Sequence, residues 1–124
     1  GVNKIYGIYT LISDATFNAI NNQIVARKID YISVVGKKEP IFVYELLGYP
    51  GSIDDIILET ADKYTDGLNA YREQDWDKAI AFFNQALEIT PDDGPSKTIK
   101  DRCEKYKLNP PDKDWDGSFS METK

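Results

Sequence analysis

Tyr64-Thr65-Asp66-Gly67-Leu68-Asn69-Ala70-Tyr71, followed by Trp76, Ala79, Ile80, Phe83, Ala86 and Leu87 and closed by Pro91, decides the architecture of this chain. Around the first segment, Ile53, Ile56, Ile57, Ala61, Tyr64, Leu68 and Tyr71 recur at three- and four-residue steps, the stripe of an amphipathic helix. Ser52 is expected to cap it, with acidic residues in the first turn favoured by the helix dipole. The stripe from Trp76 to Leu87 predicts a second helix, running to about Ile89. Small residues at Gly67 and Ala79 let two antiparallel helices approach closely, Phe83 fills the space beyond them, and Pro91 stops the second helix. A third helix is expected from Pro95, a favoured first helical position, with Asp92-Asp93 ending the loop and capping it. It carries Ile99, Cys103 and Tyr106 on one side, and Asn109-Pro110-Pro111 ends it.

Upstream the pattern changes. Gly48-Tyr49-Pro50-Gly51 marks a boundary, with two glycines and a proline in four residues. Before it, Ile8 to Ile12 is rich in β-branched and aromatic residues and predicts a short strand. Ser13 or Asp14 then caps a short helix over residues 15–20. Two further β-like runs, Ile24 to Val35 and Ile41 to Leu46, flank Gly36-Lys37-Lys38-Glu39-Pro40 and predict a hairpin. The expected class is therefore α+β: a small antiparallel β segment with one short helix over residues 1–49, then a helical hairpin with a capping helix over 52–109. An extended tail is expected over 110–124.

Composition narrows the chemistry. The 124 residues carry a net charge of −6, which argues against nucleic acid, since phosphate binding needs an excess of Lys and Arg. Histidine is absent, which removes the commonest general base and every Ser-His or Cys-His nucleophile system. The single cysteine, Cys103, cannot form an internal disulfide, and on an apolar stripe it is expected to be buried and unreactive. No stretch approaches the length of a membrane span and no signal peptide opens the chain, so the expected location is cytoplasmic. An opening Gly1 in place of Met is what a piece of a longer protein would show.

Gly67, Ala79, Phe83, Ala86 and Pro91 fall at the spacing of a tetratricopeptide repeat, which the hairpin resembles. That family's first-helix tyrosine is replaced here by Ala70, with Tyr71 one position later. Repeats of this kind bury a continuous core by stacking, so a lone hairpin is expected to lean on the β segment or on another copy. The resemblance implies protein or peptide contact, or a stabilising appendage.

The first half resembles the closing segment of class III adenylyl and guanylyl cyclase domains. The residues that carry this are Lys4-Ile5-Tyr6-Gly7, Ile12 to Phe17, Arg27-Lys28-Ile29-Asp30 and Val34 to Gly48. Many bacterial members follow this segment with a tetratricopeptide-like tail that ends in a Pro-rich stretch and an aromatic-Asp-Gly sequence, here Pro110-Pro111 and Trp115-Asp116-Gly117. In that family the metal aspartates, the base-selecting residues and the Asn/Arg pair lie upstream of the matching segment. No position of this chain corresponds to them. The expected triphosphate lysine is replaced by Val35. The resemblance thus implies a noncatalytic portion of a signalling protein of cyclic nucleotide biosynthesis. It implies no catalytic residue, no metal ligand and no cofactor of the chain's own. Divalent metal and nucleoside triphosphate would belong to a complete cyclase. The expected partners are a second copy or the rest of a cyclase domain, with a further protein partner possible on the helices, and with no nucleic acid or membrane contact.

Two alternatives stand beside this reading. One is a free-standing adaptor of tetratricopeptide type. The other is a calcium-binding tail, because Asp112-Lys113-Asp114-Trp115-Asp116-Gly117 places oxygen ligands at alternating positions before a sharp-turn glycine. The bidentate glutamate such a loop needs at position twelve is Thr123 here, with Glu122 one residue early.

Overall fold

The computed structural model describes residues 2–8, 10–20, 23–34, 36 and 38–121. Its elements run α1 (Val2–Tyr6), β1 (Leu11–Ser13), α2 (Asp14–Ile20), β2 (Val25–Val34), β3 (Ile41–Gly48), α3 (Asp55–Arg72), α4 (Trp76–Ile89), α5 (Gly94–Leu108) and β4 (Phe119–Met121). They divide into two compact units, a sheet unit up to Ile53 that resumes at Ser118, and a helical unit from Asp54 to Gly117.

In the sheet unit the strand order is β1-β3-β2-β4. The β2–β3 hairpin is antiparallel and pairs Arg27 with Glu45 and Tyr31 with Phe42; bulges interrupt it at Val25/Ala26 and Lys28/Asp30. β1 lies antiparallel on the other side of β3. β4 lies parallel to Ile32–Val34 of β2, because the chain returns to the sheet only after three helices. The sheet is accordingly mixed, where a purely antiparallel segment was expected, and β4 falls inside the stretch expected as an extended tail. The short strand is Leu11–Ser13 rather than Ile8–Ile12, and Ile8 instead contributes to the core with Tyr6, Ile29, Ile32, Val43 and Met121. Ser13 caps α2 as expected, its Oγ accepting from the Thr16 N–H at 3.3 Å.

In the helical unit, Thr60 faces Thr90 and Gly67 faces Phe83, so α3 and α4 run antiparallel. Their core is Tyr64, Leu68, Ala70, Tyr71, Ala79, Phe83 and Ala86, joined by Ile99 and Cys103 of α5. Asp75 caps α4, accepting from the Lys78 N–H at 3.4 Å. Asp93 caps α5, accepting from the Ser96 N–H at 3.3 Å. Two expectations for α3 are corrected. Ser52 does not cap it: the Ser52 hydroxyl donates to the Tyr49 carbonyl at 2.7 Å, closing a turn, and the N-cap is Asp54. Ile56 and Ile57 continue the apolar stripe but are exposed, since Thr60 already faces Thr90, the residue after α4 ends, and no α4 residue lies opposite the turn before it.

Candidate functional site

The helical unit presents the most organised constellation. Tyr71 is fully buried and lies at the centre of four mutually packed rings: its centroid is 5.7 Å from Trp76, 6.3 Å from Tyr106 and 5.3 Å from Trp115. Trp76, Tyr106 and Trp115 also touch one another, at 5.2 to 5.8 Å. Rings at these separations and tilts add favourable edge and offset contacts to their burial. The guanidinium of buried Arg102 donates to the Tyr71 hydroxyl at 3.1 Å. Trp76 is half-buried, packed on the other three rings at the rim of this cluster. Trp115 fastens the segment after α5 to the helices, and Gly117 completes the fastening. Gly117 is buried with φ +89°, and a Cβ there would lie 3.0 Å from Nε of Arg72.

Gly67, Ala79, Phe83 and Ala86 are all buried, and Gly67 meets Phe83 across the α3–α4 contact. Pro91 is exposed; it follows the C-cap residue Thr90 and acts on the backbone rather than on the interface. Two surface hollows flank these elements. One, of about 170 Å³, is lined by Asp66, Asn69, Ala70, Glu73, Lys78 and Phe82. The other, of about 390 Å³, is bordered by Pro110, Pro111 and Trp115 with Asp112 and Asp114.

The sheet unit shows where its strand carboxylates go. Asp30 is fully buried, receives the Tyr6 hydroxyl at 2.7 Å and accepts from the Tyr31 N–H at 2.8 Å. Glu45 is bound by Arg27, whose Nε donates at 3.1 Å and whose terminal nitrogen makes a second contact. Phe17 stacks on Tyr44 at 4.2 Å, and Lys28 Nζ lies 4.1 Å above the Phe42 ring. Burial, with the nearby Asp14 charge, pushes the Tyr44 phenol above its ordinary pKa.

Val35, which stands where the phosphate lysine was expected, and Lys37 lie outside the described residues, as do Glu122 and Thr123 of the possible calcium loop. Among the described residues no three His, Cys, Asp or Glu side chains are grouped to hold a metal ion. Among them, too, no helix is long and apolar enough to cross a membrane. The aromatic cluster and the Tyr6–Asp30 pair escaped the sequence reading; the one signal for the first was a tryptophan in an otherwise polar tail.

With this geometry in hand, comparison with known proteins is informative. Over 106 residues, 81% of the chain, it is 29% identical to a Dictyostelium discoideum protein described as "Adenylate cyclase, terminal-differentiation specific". The chain is similar to a segment of an adenylate cyclase. It spans 5% of that protein's length. A continuous match of this size includes β2, β3, α3 and α4, so the similarity extends over strands and helices alike. The relative is not bacterial, and the bacterial setting expected from the sequence finds no support in it. No family model matches the chain, and no solved structure matches it.

Proposed function

We propose that the chain is a noncatalytic, closing portion of an adenylate cyclase-like signalling protein, in which a tetratricopeptide-like hairpin makes protein contacts or gives structural support. The similarity to an adenylate cyclase segment supports the first half of this reading. The observation that carries the second half is the fate of the strand carboxylates. Asp30 and Glu45 are the acids borne on the sheet strands, and each is taken by an internal partner. Cyclisation of a nucleoside triphosphate needs carboxylates free to hold divalent cations that polarise the phosphates. A carboxylate already neutralised by a guanidinium or by buried donors would have to give up those partners first.

The close Gly67–Phe83 approach supports the tetratricopeptide-like reading of the hairpin. The return of the chain to the sheet at β4 makes the helical unit an insertion within the chain of the sheet unit, which favours one connected portion over a free-standing adaptor. The calcium alternative is disfavoured by Gly117 and Trp115, which the aromatic cluster and Arg72 already engage. Self-association through the sheet belongs to the same reading, because among the described residues β4 pairs with Ile32–Val34 alone of the ten-residue β2. A calorimetric titration with Mn²⁺–ATP and Mn²⁺–GTP tests the proposal. No saturable heat is expected, and stoichiometric binding of either complex would overturn the noncatalytic assignment.

A further inference from the structure

Pro110, Pro111, Asp112, Asp114 and Trp115 line the hollow of about 390 Å³ on the helical unit, a size within the range of about 300–1,000 Å³ usual for ligand sites. Its walls are held in place. The prolines fix their own φ angles, and the Asp112 carbonyl accepts from the Trp115 N–H at 3.0 Å. The Trp115 ring is packed on Tyr71, Trp76 and Tyr106 and remains half-buried. A surface already ordered in this way has little freedom left to lose on binding. The lining is also one-sided in its chemistry: flat apolar surface from the indole and the prolines, and two carboxylates. Lys113 separates the two acids in sequence but does not line the hollow. Neither Asp112 nor Asp114 is in an ion pair or side-chain hydrogen bond among the described residues. Exposed acids are common on this unit, and what sets these two apart is that they flank an indole in a concavity with no cationic lining. The other hollow, with Asp66 and Glu73, has Lys78 in its wall and no indole.

The geometry points to this hollow as the binding site of an arginine side chain carried on an extended segment of another protein, its guanidinium stacked on Trp115 and paired with Asp112 and Asp114. The inference deepens the reading of the helical unit as a contact module and rests on it. Charge complementarity requires a cation, because the lining supplies two negative charges and no positive one. The indole selects the kind of cation. A guanidinium is planar, stacks on aromatic faces and has donors enough for two carboxylates at once, whereas an ammonium is a compact, strongly hydrated point charge. Free arginine would bring its own carboxylate against Asp112 and Asp114, a repulsion that a residue within a chain does not carry. A second copy has little to offer. Of the three arginines in the sequence, Arg27 and Arg102 are buried, and Arg72 lies against Gly117 of its own chain.

The test uses the full chain, labelled with ¹⁵N, and three end-blocked peptides: Ala-Pro-Arg-Pro-Ala and its lysine and citrulline counterparts. Citrulline keeps the shape of arginine and removes the charge. The arginine peptide is expected to shift the amides of residues 112–115 and the Trp115 indole N–H saturably, with an affinity that weakens as salt is raised. The lysine peptide should bind more weakly and the citrulline peptide should cause no shift. The double variant Asp112→Asn/Asp114→Asn should weaken binding of the arginine peptide about fivefold to tenfold, the loss of two exposed ion pairs. Asp66→Asn/Glu73→Gln, which removes two acids lining the other hollow, should leave it unchanged. Equal binding of the citrulline or the lysine peptide would overturn the inference. So would an Asp112/Asp114 variant that binds as well as the parent chain, or the absence of any shift. Saturable shifts centred on another part of the helices would sink the site while leaving the contact-module reading intact. Nucleotide turnover by the chain would sink the reading itself.

Discussion

A Cβ placed on Gly67 would lie 2.5 Å from Cε1 of Phe83 and 2.9 Å from its Cζ, distances that real side chains do not reach. Phe83 is fully buried and also packs on Tyr64, 5.4 Å between centroids, so its ring has no open side to move toward. The glycine therefore sets how closely α3 and α4 approach, and the phenylalanine makes use of that approach.

Gly67→Ala tests this directly. Helix propensity alone would make alanine the better residue by about 1 kcal/mol. The clash with Phe83 should reverse that sign and leave a net loss of about 1–3 kcal/mol, as overpacking does. Urea unfolding of Gly67→Ala, Phe83→Leu and the double variant should show strong non-additivity, with the smaller side chain absorbing much of the alanine's cost. A stabilised Gly67→Ala variant would contradict the close approach.

Trp115 is the anchor of the segment after α5. Trp115→Ala removes three ring contacts, to Tyr71, Trp76 and Tyr106, and should destabilise the helical unit by about 2 kcal/mol in thermal unfolding. Limited proteolysis of the variant should open new cleavage between Pro110 and Gly117, a stretch the intact cluster protects. Unchanged melting and cleavage would show that the cluster does not hold this segment.

Cys103 is fully buried, and burial pushes its thiol up to about 12 from an ordinary 9.0, the adjacent Arg102 charge offsetting only part of this. The neutral thiol is the form the fold accommodates. Below about pH 9 both folded and unfolded chains keep the proton and this site adds no pH dependence. Above it the unfolded chain loses its proton first, so stability should fall as pH rises from about 9 toward 12. Cys103→Ala should flatten that limb of the stability profile, measured by denaturant midpoints. A neutral-pH thiol reagent should label Cys103 only as fast as the protein opens.

The helices were legible because their signals are local. Gly67, Ala79 and Phe83 announce a close antiparallel pair by residue size, and Pro95 and Asp93 announce the start of α5 by backbone chemistry. The β2–β3 hairpin was legible for the same reason, with β-branched runs on either side of Gly36. What escaped is non-local. β4 is three residues long, and its partner in β2 lies more than eighty residues back, so no periodicity could reveal it. The Tyr6–Asp30 hydrogen bond likewise joins α1 to a bulged strand across twenty-four positions. The exposure of Ile56 and Ile57 could not be read from their spacing, because the stripe is regular and only the ending of α4 uncovers it. For the candidate site, Gly117 read as a calcium-loop turn, whereas the structure uses it to admit Arg72, a choice that depends on a helix some forty-five residues away.

Turnover is the most direct measurement. The purified chain, without any other polypeptide, is incubated with ATP or GTP in the presence of Mg²⁺ or Mn²⁺, and cyclic AMP and cyclic GMP are quantified by mass spectrometry against a protein-free control. The engagement of Asp30 by Tyr6 and of Glu45 by Arg27 predicts product no greater than the control. Cyclic nucleotide accumulating in proportion to chain concentration would contradict the account.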